Sequence, residues 1–283
     1  MIASLPKRHH YVPQMLQKRF VDSEGWLHAF SRVRADRSVY PVRPAKLFVE
    51  KHLYSETHAD GSLDVETERA FSRLEHRVDP IIEKIIAAAR VGRRPELSPE
   101  ETTLWQFFVV MQWKRVPDLH LTVTTDDELA GTFDELLAEL RASQPHLIEE
   151  IDKLATYPQR KRMMKNARVG ALGGVSQEVM DAMRSRGLAI AVSDDPRGSL
   201  TLGSRPVVKL TTPGKTDIRH PACELWLPVA SDVVVGLGVG EGTETVVPIT
   251  RAQIRQLNLA CVCQSTVFAS ASAALTASLA HPR

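Results

Sequence analysis

Three cysteines, no apolar run of membrane-spanning length and a net charge of only +2 define what this 283-residue sequence has little of. Cys223, Cys261 and Cys263 are too few, and odd in number, for a disulfide framework, and Cys261-x-Cys263 has no second pair to complete a zinc site. All three are expected to be buried apolar residues. No run approaches the roughly 20 apolar residues of a transmembrane helix. The opening Met-Ile-Ala-Ser-Leu-Pro-Lys-Arg-His-His lacks the apolar stretch of a secretory signal, so a cytoplasmic protein with no membrane partner is expected. The small net charge, with 43% hydrophobic residues, excludes an expanded disordered chain. Also missing are a Gly-x-x-x-x-Gly-Lys-Ser phosphate loop, a His-Glu-x-x-His zinc helix and a Gly-x-Ser-x-Gly nucleophile elbow. The glycine-rich run 236–242 is mis-spaced for a dinucleotide fingerprint and reads as the turn of an antiparallel hairpin.

Hydrophobic spacing supplies the elements. A short helix follows Pro13 and ends near Phe20, and Trp26–Phe30 with Val39–Val42 read as a small hairpin that needs a partner. From Asp64 to about Ala89, Phe71, Leu74, Val78, Ile81, Ile82, Ile85 and Ile86 form one face of a long helix. Ser98-Pro99-Glu100-Glu101 is a capping box that opens a helix apolar nearly all round, expected to be buried and to stop at Pro117. Thr125 with Glu128 opens another, and 147–155 and 176–186 look helical. After Gly187 the texture changes to short β runs at 188–192, 200–210, 224–229, 233–239 and 245–249. Thr250 then caps a C-terminal helix continuing through Cys261, with a frayed tail from about Ala274. The expected fold class is α+β, with a hairpin and helical region over 1–186. A mainly antiparallel sheet packed by a long helix follows over 187–283, the two packed as one unit. Nothing in the sequence sets an oligomeric state.

Charge is unevenly placed. Residues 1–50 carry nine Lys or Arg against four Asp or Glu, and Arg160–Arg168 places five cations in nine residues. The second segment is the candidate surface for nucleic acid or another polyanion, beside the plainer reading of a solvated face.

The string Lys7-Arg8-His9-His10-Tyr11-Val12-Pro13-Gln14, with Arg19-Phe20 behind it, resembles the N-terminal signature of an uncharacterised bacterial and fungal family, domain of unknown function 4238. Leu53-Tyr54, Glu68, Glu75 and Gln112-Trp113-Lys114-Arg115-Val116-Pro117 are similar to that family's later landmarks, as are Leu227-Pro228 and Asn258. Where relatives carry a Thr-Ser-Asp-Asn-Pro-like turn, this chain has Leu202-Gly203-Ser204-Arg205-Pro206 and lacks the acid. The resemblance implies which positions matter and supplies no reaction.

Of the two adjacent histidines, one is expected to enter a site, and His10 is chosen because Tyr11 and Val12 lead into packed chain. Glu68, Ser72, Glu75 and Asp79 form a stripe beside the apolar face of the long helix, while Gln112 and Arg115 share a face of the next. A buried Arg115 needs a carboxylate, and Glu75 is the natural partner. The resulting cluster admits three readings: a structural polar core, an anion pocket, or a hydrolytic site for a phosphoryl or nucleic-acid substrate. In the hydrolytic reading His10 is base or ligand, Glu68 or Glu75 the carboxylate, and Arg115 the stabiliser of negative charge. Lys7, Arg8, His9, Gln14 and Gln112 would contact substrate, and a divalent metal is a candidate cofactor.

Overall fold

The computed structural model describes residues 8–121, 125–195, 198–215 and 217–281. Strand β1 (Arg8–His10) runs into Pro13 and the single turn α1 (Gln14–Gln17). The hairpin is present as β2 (Leu27–Ser31) and β3 (Tyr40–Val42), and β1 pairs antiparallel with β4 (Val49–Lys51). A ribbon of β5 (Glu56–Thr57) and β6 (Leu63–Asp64) precedes the long helix α2 (Glu66–Arg90). The apolar face of α2 is buried as its spacing dictates, and Glu66 and Glu68 sit in its first turn, where the helix dipole favours acids.

Helix α3 (Pro99–Lys114) starts at the expected capping box: Ser98 Oγ accepts from the Glu101 N–H, and the Glu101 carboxylate accepts from the Ser98 N–H. It is not buried all round. Trp105, Phe108 and Val109–Gln112 are buried, while Leu104 and Phe107 remain half-exposed along a surface groove. Helix α4 (Asp126–Ser143) opens on the Thr125–Glu128 box. With α5 (Ile148–Ala155) it packs around Phe133, Leu137 and Ile151. The basic segment lies within a further helix, α6 (Tyr157–Ala171), which leads to α7 (Gln177–Arg184).

The C-terminal part supplies β7 (Leu188–Val192), β8 (Leu202–Gly203), β9 (Val208–Leu210), β10 (Glu224–Pro228), β11 (Val233–Leu237), β12 (Glu244–Pro248), α8 (Arg251–Gln264), β13 (Val267–Ser270) and α9 (Ala273–Ala280). Five strands form a sheet in the order β12-β7-β11-β10-β9, antiparallel except for the β12–β7 pair. Both faces are covered, and β11 is therefore buried at every residue. Ile190, Val233 and Val235 join the core shared with α2 and α3; Ala191 and Val234 face a second core with Val12, Phe20, Leu27 and Leu257.

Several expectations are corrected. The glycine-rich run is not a hairpin turn: β11 and β12 lie on opposite sides of β7, and the run passes over the end of that strand. Gly187 makes this crossing possible, because a Cβ there would lie 2.2 Å from the Thr243 carbonyl oxygen. The hairpin β2–β3 finds its partner in β13, which a purely helical reading of the C-terminus overlooked; β8 completes the sheet on the other side. These strands come from both sides of the expected 186/187 boundary. The tail is anchored, since the Thr276 hydroxyl donates to the His28 carbonyl and Leu279 is buried. Cys223 and Cys261 are buried as expected, but Cys263 is exposed because its position on α8 turns away from the core.

Candidate functional site

Strand alternation gives β1 two faces. Register pairs Arg8 with Lys51, His9 with Glu50 and His10 with Val49, and the Tyr11 N–H continues the ladder to the Phe48 carbonyl at 3.0 Å. His9 is completely buried, Arg8 is exposed and His10 is half-buried. The buried Gln17 amide clamps the motif by donating to the Val12 and Leu47 carbonyls.

The inward imidazole is thus His9 and not His10, because the side chains of neighbouring strand residues point to opposite faces. Its Nδ1 accepts the Tyr54 N–H at 3.0 Å, and its ring stacks on Tyr54 with centroids 5.7 Å apart. The Tyr54 hydroxyl donates to the Arg115 carbonyl at 2.8 Å. Arg115 is 1% exposed and fully engaged. Its Nη1 meets Glu75 Oε1 at 2.8 Å, the pairing expected from sequence, and its Nε donates to the Tyr11 carbonyl at 3.2 Å. With its amide oxygen turned toward the guanidinium, Gln112 accepts from Nε and Nη2 at 2.7 Å, and the Phe71 ring lies 4.8 Å below. α2, α3, β1 and the segment around Tyr54 are thereby tied into one polar core.

Glu68 stands at the edge of this core, with Oε2 3.7 Å from His9 Nδ1. That separation is too long for a hydrogen bond, and the Nδ1 lone pair is already directed at the Tyr54 N–H. Burial pushes the Glu68 carboxyl up to about 7; the charge on Glu75 adds to the rise and Arg115 opposes it. Among the described residues, no three or more His, Cys, Asp or Glu converge as a set able to hold a metal ion. A groove of about 620 Å³ lined by Leu104, Phe107 and Met180, and one of about 280 Å³ beside Arg90 and Asp232, include none of the cluster residues.

The other face of β1 is different. Arg8 Nη2 donates to the Ala45 carbonyl at 3.0 Å, directly opposite Lys51 and beside Lys46. Like charges facing each other across a ladder repel, and neither Arg8, Lys46 nor Lys51 has an ion-pair partner among the described residues. His10 stands against Pro44 and Ala45 on this face, with Nε2 buried and without a hydrogen-bond partner. Burial lowers its pKa, the neighbouring backbone groups oppose the shift, and the charges of Arg8 and Arg115 lower it further. Of the other sequence candidates, Gln14 is half-buried at the start of α1, and Lys7 lies outside the described residues.

Three of the five cations in the α6 segment are engaged within the protein. Arg160 pairs with Asp134 and Arg168 with Asp126, while Arg162 donates to the His58 carbonyl.

Sequence reasoning did not assign roles to Tyr54 or Asp118. Tyr54 belongs to the Leu53-Tyr54 landmark, so a signal for it existed. Asp118 is nearly buried and accepts from the Ser204 hydroxyl at 2.5 Å, the Thr266 N–H at 2.8 Å and the Thr266 hydroxyl at 3.0 Å. The carboxylate at the Ser204 turn therefore comes from the segment after Pro117, a juxtaposition that sequence spacing does not reveal.

A family model described as "Protein of unknown function (DUF4238)" matches residues 8–270, and the chain belongs to this family. No curated protein and no solved structure matches it.

Proposed function

We propose that this DUF4238 member is a non-catalytic protein that binds a phosphate-bearing or similarly polyanionic ligand on the outer face of its N-terminal motif. In this reading the His9–Glu75–Gln112–Arg115 cluster is a structural polar core. One observation carries it: Arg115 already serves Glu75, Gln112 and the Tyr11 carbonyl at 1% exposure, whereas Arg8, Lys46 and Lys51 on the opposite face are exposed cations without acidic partners among the described residues. Cations held close together against their mutual repulsion form a site whose electrostatics improve when an anion arrives. The test is thermal unfolding with pyrophosphate or tripolyphosphate. Either anion should raise the wild-type Tm and leave that of Arg8→Gln/Lys51→Gln unchanged. Equal shifts in both proteins, or none in either, would reject the reading.

A hydrolytic reading has one supporting observation, the Glu68 carboxyl raised to about 7, where a general acid operates best near neutrality. There Glu68 would exchange the proton, Glu75 would hold Arg115 in place, and His10 would serve from the outer face. Cleavage of bis(p-nitrophenyl) phosphate with magnesium or manganese, abolished in Glu68→Gln, would favour it over the binding reading.

A further inference from the structure

We infer that His10 makes the proposed anion site proton-linked: an anion held on the outer face of the motif draws one proton from solvent onto the His10 imidazole, so affinity for the anion rises as pH falls. The inference rests on the anion-binding reading and adds its regulation.

Strand geometry puts His10 in the field of the site. Side chains two residues apart on a strand share a face, so His10 stands beside Arg8, and the register sets Arg8 opposite Lys51 and His10 opposite Val49. The short turn Pro44–Lys46 packs against the same face. Its Ala45 carbonyl accepts from Arg8 Nη2 at 3.0 Å, and the Ala45 and Pro44 carbonyls are both directed at the His10 ring. Arg8 and His10 therefore meet at one acceptor, and Lys46 is the next residue along the turn. His9 is excluded from this role, because it lies on the inner face with Nδ1 accepting the Tyr54 N–H.

Two features keep the ring neutral when no anion is bound. First, the charged groups bearing on it are cationic: Arg8 from its own strand and Arg115 from the end of α3. Lys51 shares the face on β4 and Lys46 belongs to the turn, whereas Glu50 is opposite His9 in the register and so belongs to the other face. Second, Nε2 is enclosed without a hydrogen-bond partner, so a protonated ring, in which both nitrogens are donors, would hold one N–H unmatched. Burial acts in the same direction, and the two carbonyls oppose it by favouring the charged ring. An anion held by Arg8 and Lys51 offsets the cationic repulsion and leaves the carbonyl contacts in place, so the ring takes up a proton more readily. Linkage makes the effect mutual, and the protonated protein must bind the anion more tightly. Near neutral pH an imidazole can make this change while the flanking arginines and lysines stay charged throughout.

The probe is inositol hexasulfate, whose sulfate esters keep their charge from pH 5 to pH 8, so any pH dependence of binding belongs to the protein. Its Kd, measured by isothermal titration calorimetry at half-unit steps, should fall about tenfold from pH 8 to pH 5. Titrations near pH 6.5 in buffers of different ionisation enthalpy should show net proton uptake on binding. His10→Gln should bind with the same affinity across the range and take up no proton. A measurement on the wild type needs no variant: in histidine-labelled protein followed by NMR, the His10 ring should titrate at higher pH with the probe bound than without it. Arg8→Gln should raise the same titration in the absence of probe, since it removes a cation from beside the ring. If the probe binds with equal affinity at every pH, or the His10 titration does not move when it binds, the linkage fails while anion binding stands. A gain on acidification that persists in His10→Gln also overturns the linkage. If the probe does not bind, or binds Arg8→Gln/Lys51→Gln as tightly as wild type, both readings fail.

Discussion

Replacing Glu68 with glutamine should stabilise the protein at neutral pH and do little in acid. The carboxyl is raised from 4.5 to about 7 because its charged form is buried beside Glu75. Between those values the folded state holds a proton that the unfolded chain has released, so stability falls as pH rises across the window. A displacement of that size corresponds to about 3 kcal/mol at full strength. The side chain keeps 17% of its surface exposed, and solvent screening lowers the expected effect to about 2 kcal/mol. Glutamine preserves the shape and mimics the neutral acid. Urea unfolding at half-unit steps from pH 4 to 8 should give coincident stabilities for wild type and Glu68→Gln near pH 4. The mutant should lead by about 2 kcal/mol at pH 8, a Tm difference of roughly 5 °C. Since Glu75 supplies the second cause of the shift, the gap should narrow in a Glu75→Gln background. Parallel curves at every pH, or a gap opening in the opposite direction, would refute the argument.

Arg115→Met should cost about 3–5 kcal/mol in urea unfolding, because it leaves Glu75 without its counter-charge and the buried Gln112 without its donors. Arg115→Lys should recover less than half of that loss, since one ammonium cannot meet Glu75, Gln112 and the Tyr11 carbonyl together. Ser204→Asp would place a second carboxylate against Asp118, which already accepts from Ser204. It should destabilise by about 2 kcal/mol in urea unfolding at pH 7.

Local chemistry was readable wherever neighbours in the chain decide the outcome. Ser98 with Glu101 and Thr125 with Glu128 announce their helices because a capping box is a contact between residues three apart. The stripe from Phe71 to Ile86 announces α2 because a helix repeats every 3.6 residues. The Glu75–Arg115 pair was also legible, since a buried guanidinium on an apolar helix requires an acid and the neighbouring helix carried one.

Other features depend on residues distant in sequence. Val267–Ser270 was hidden by its small-residue surroundings, and it became a strand by lying between β2 and β8, more than 200 and about 60 residues earlier. Two of the five charges of 160–168, Arg160 and Arg168, meet acids because helix packing brings Asp134 and Asp126 to them. His9 and His10 are the same residue type side by side, so composition could not rank them. The register with Val49–Lys51 turned one inward to Tyr54 and left the other beside Arg8. Periodicity and capping are therefore set by the chain itself, whereas burial, charge pairing and the choice between two adjacent imidazoles are set by which distant segments pack against them.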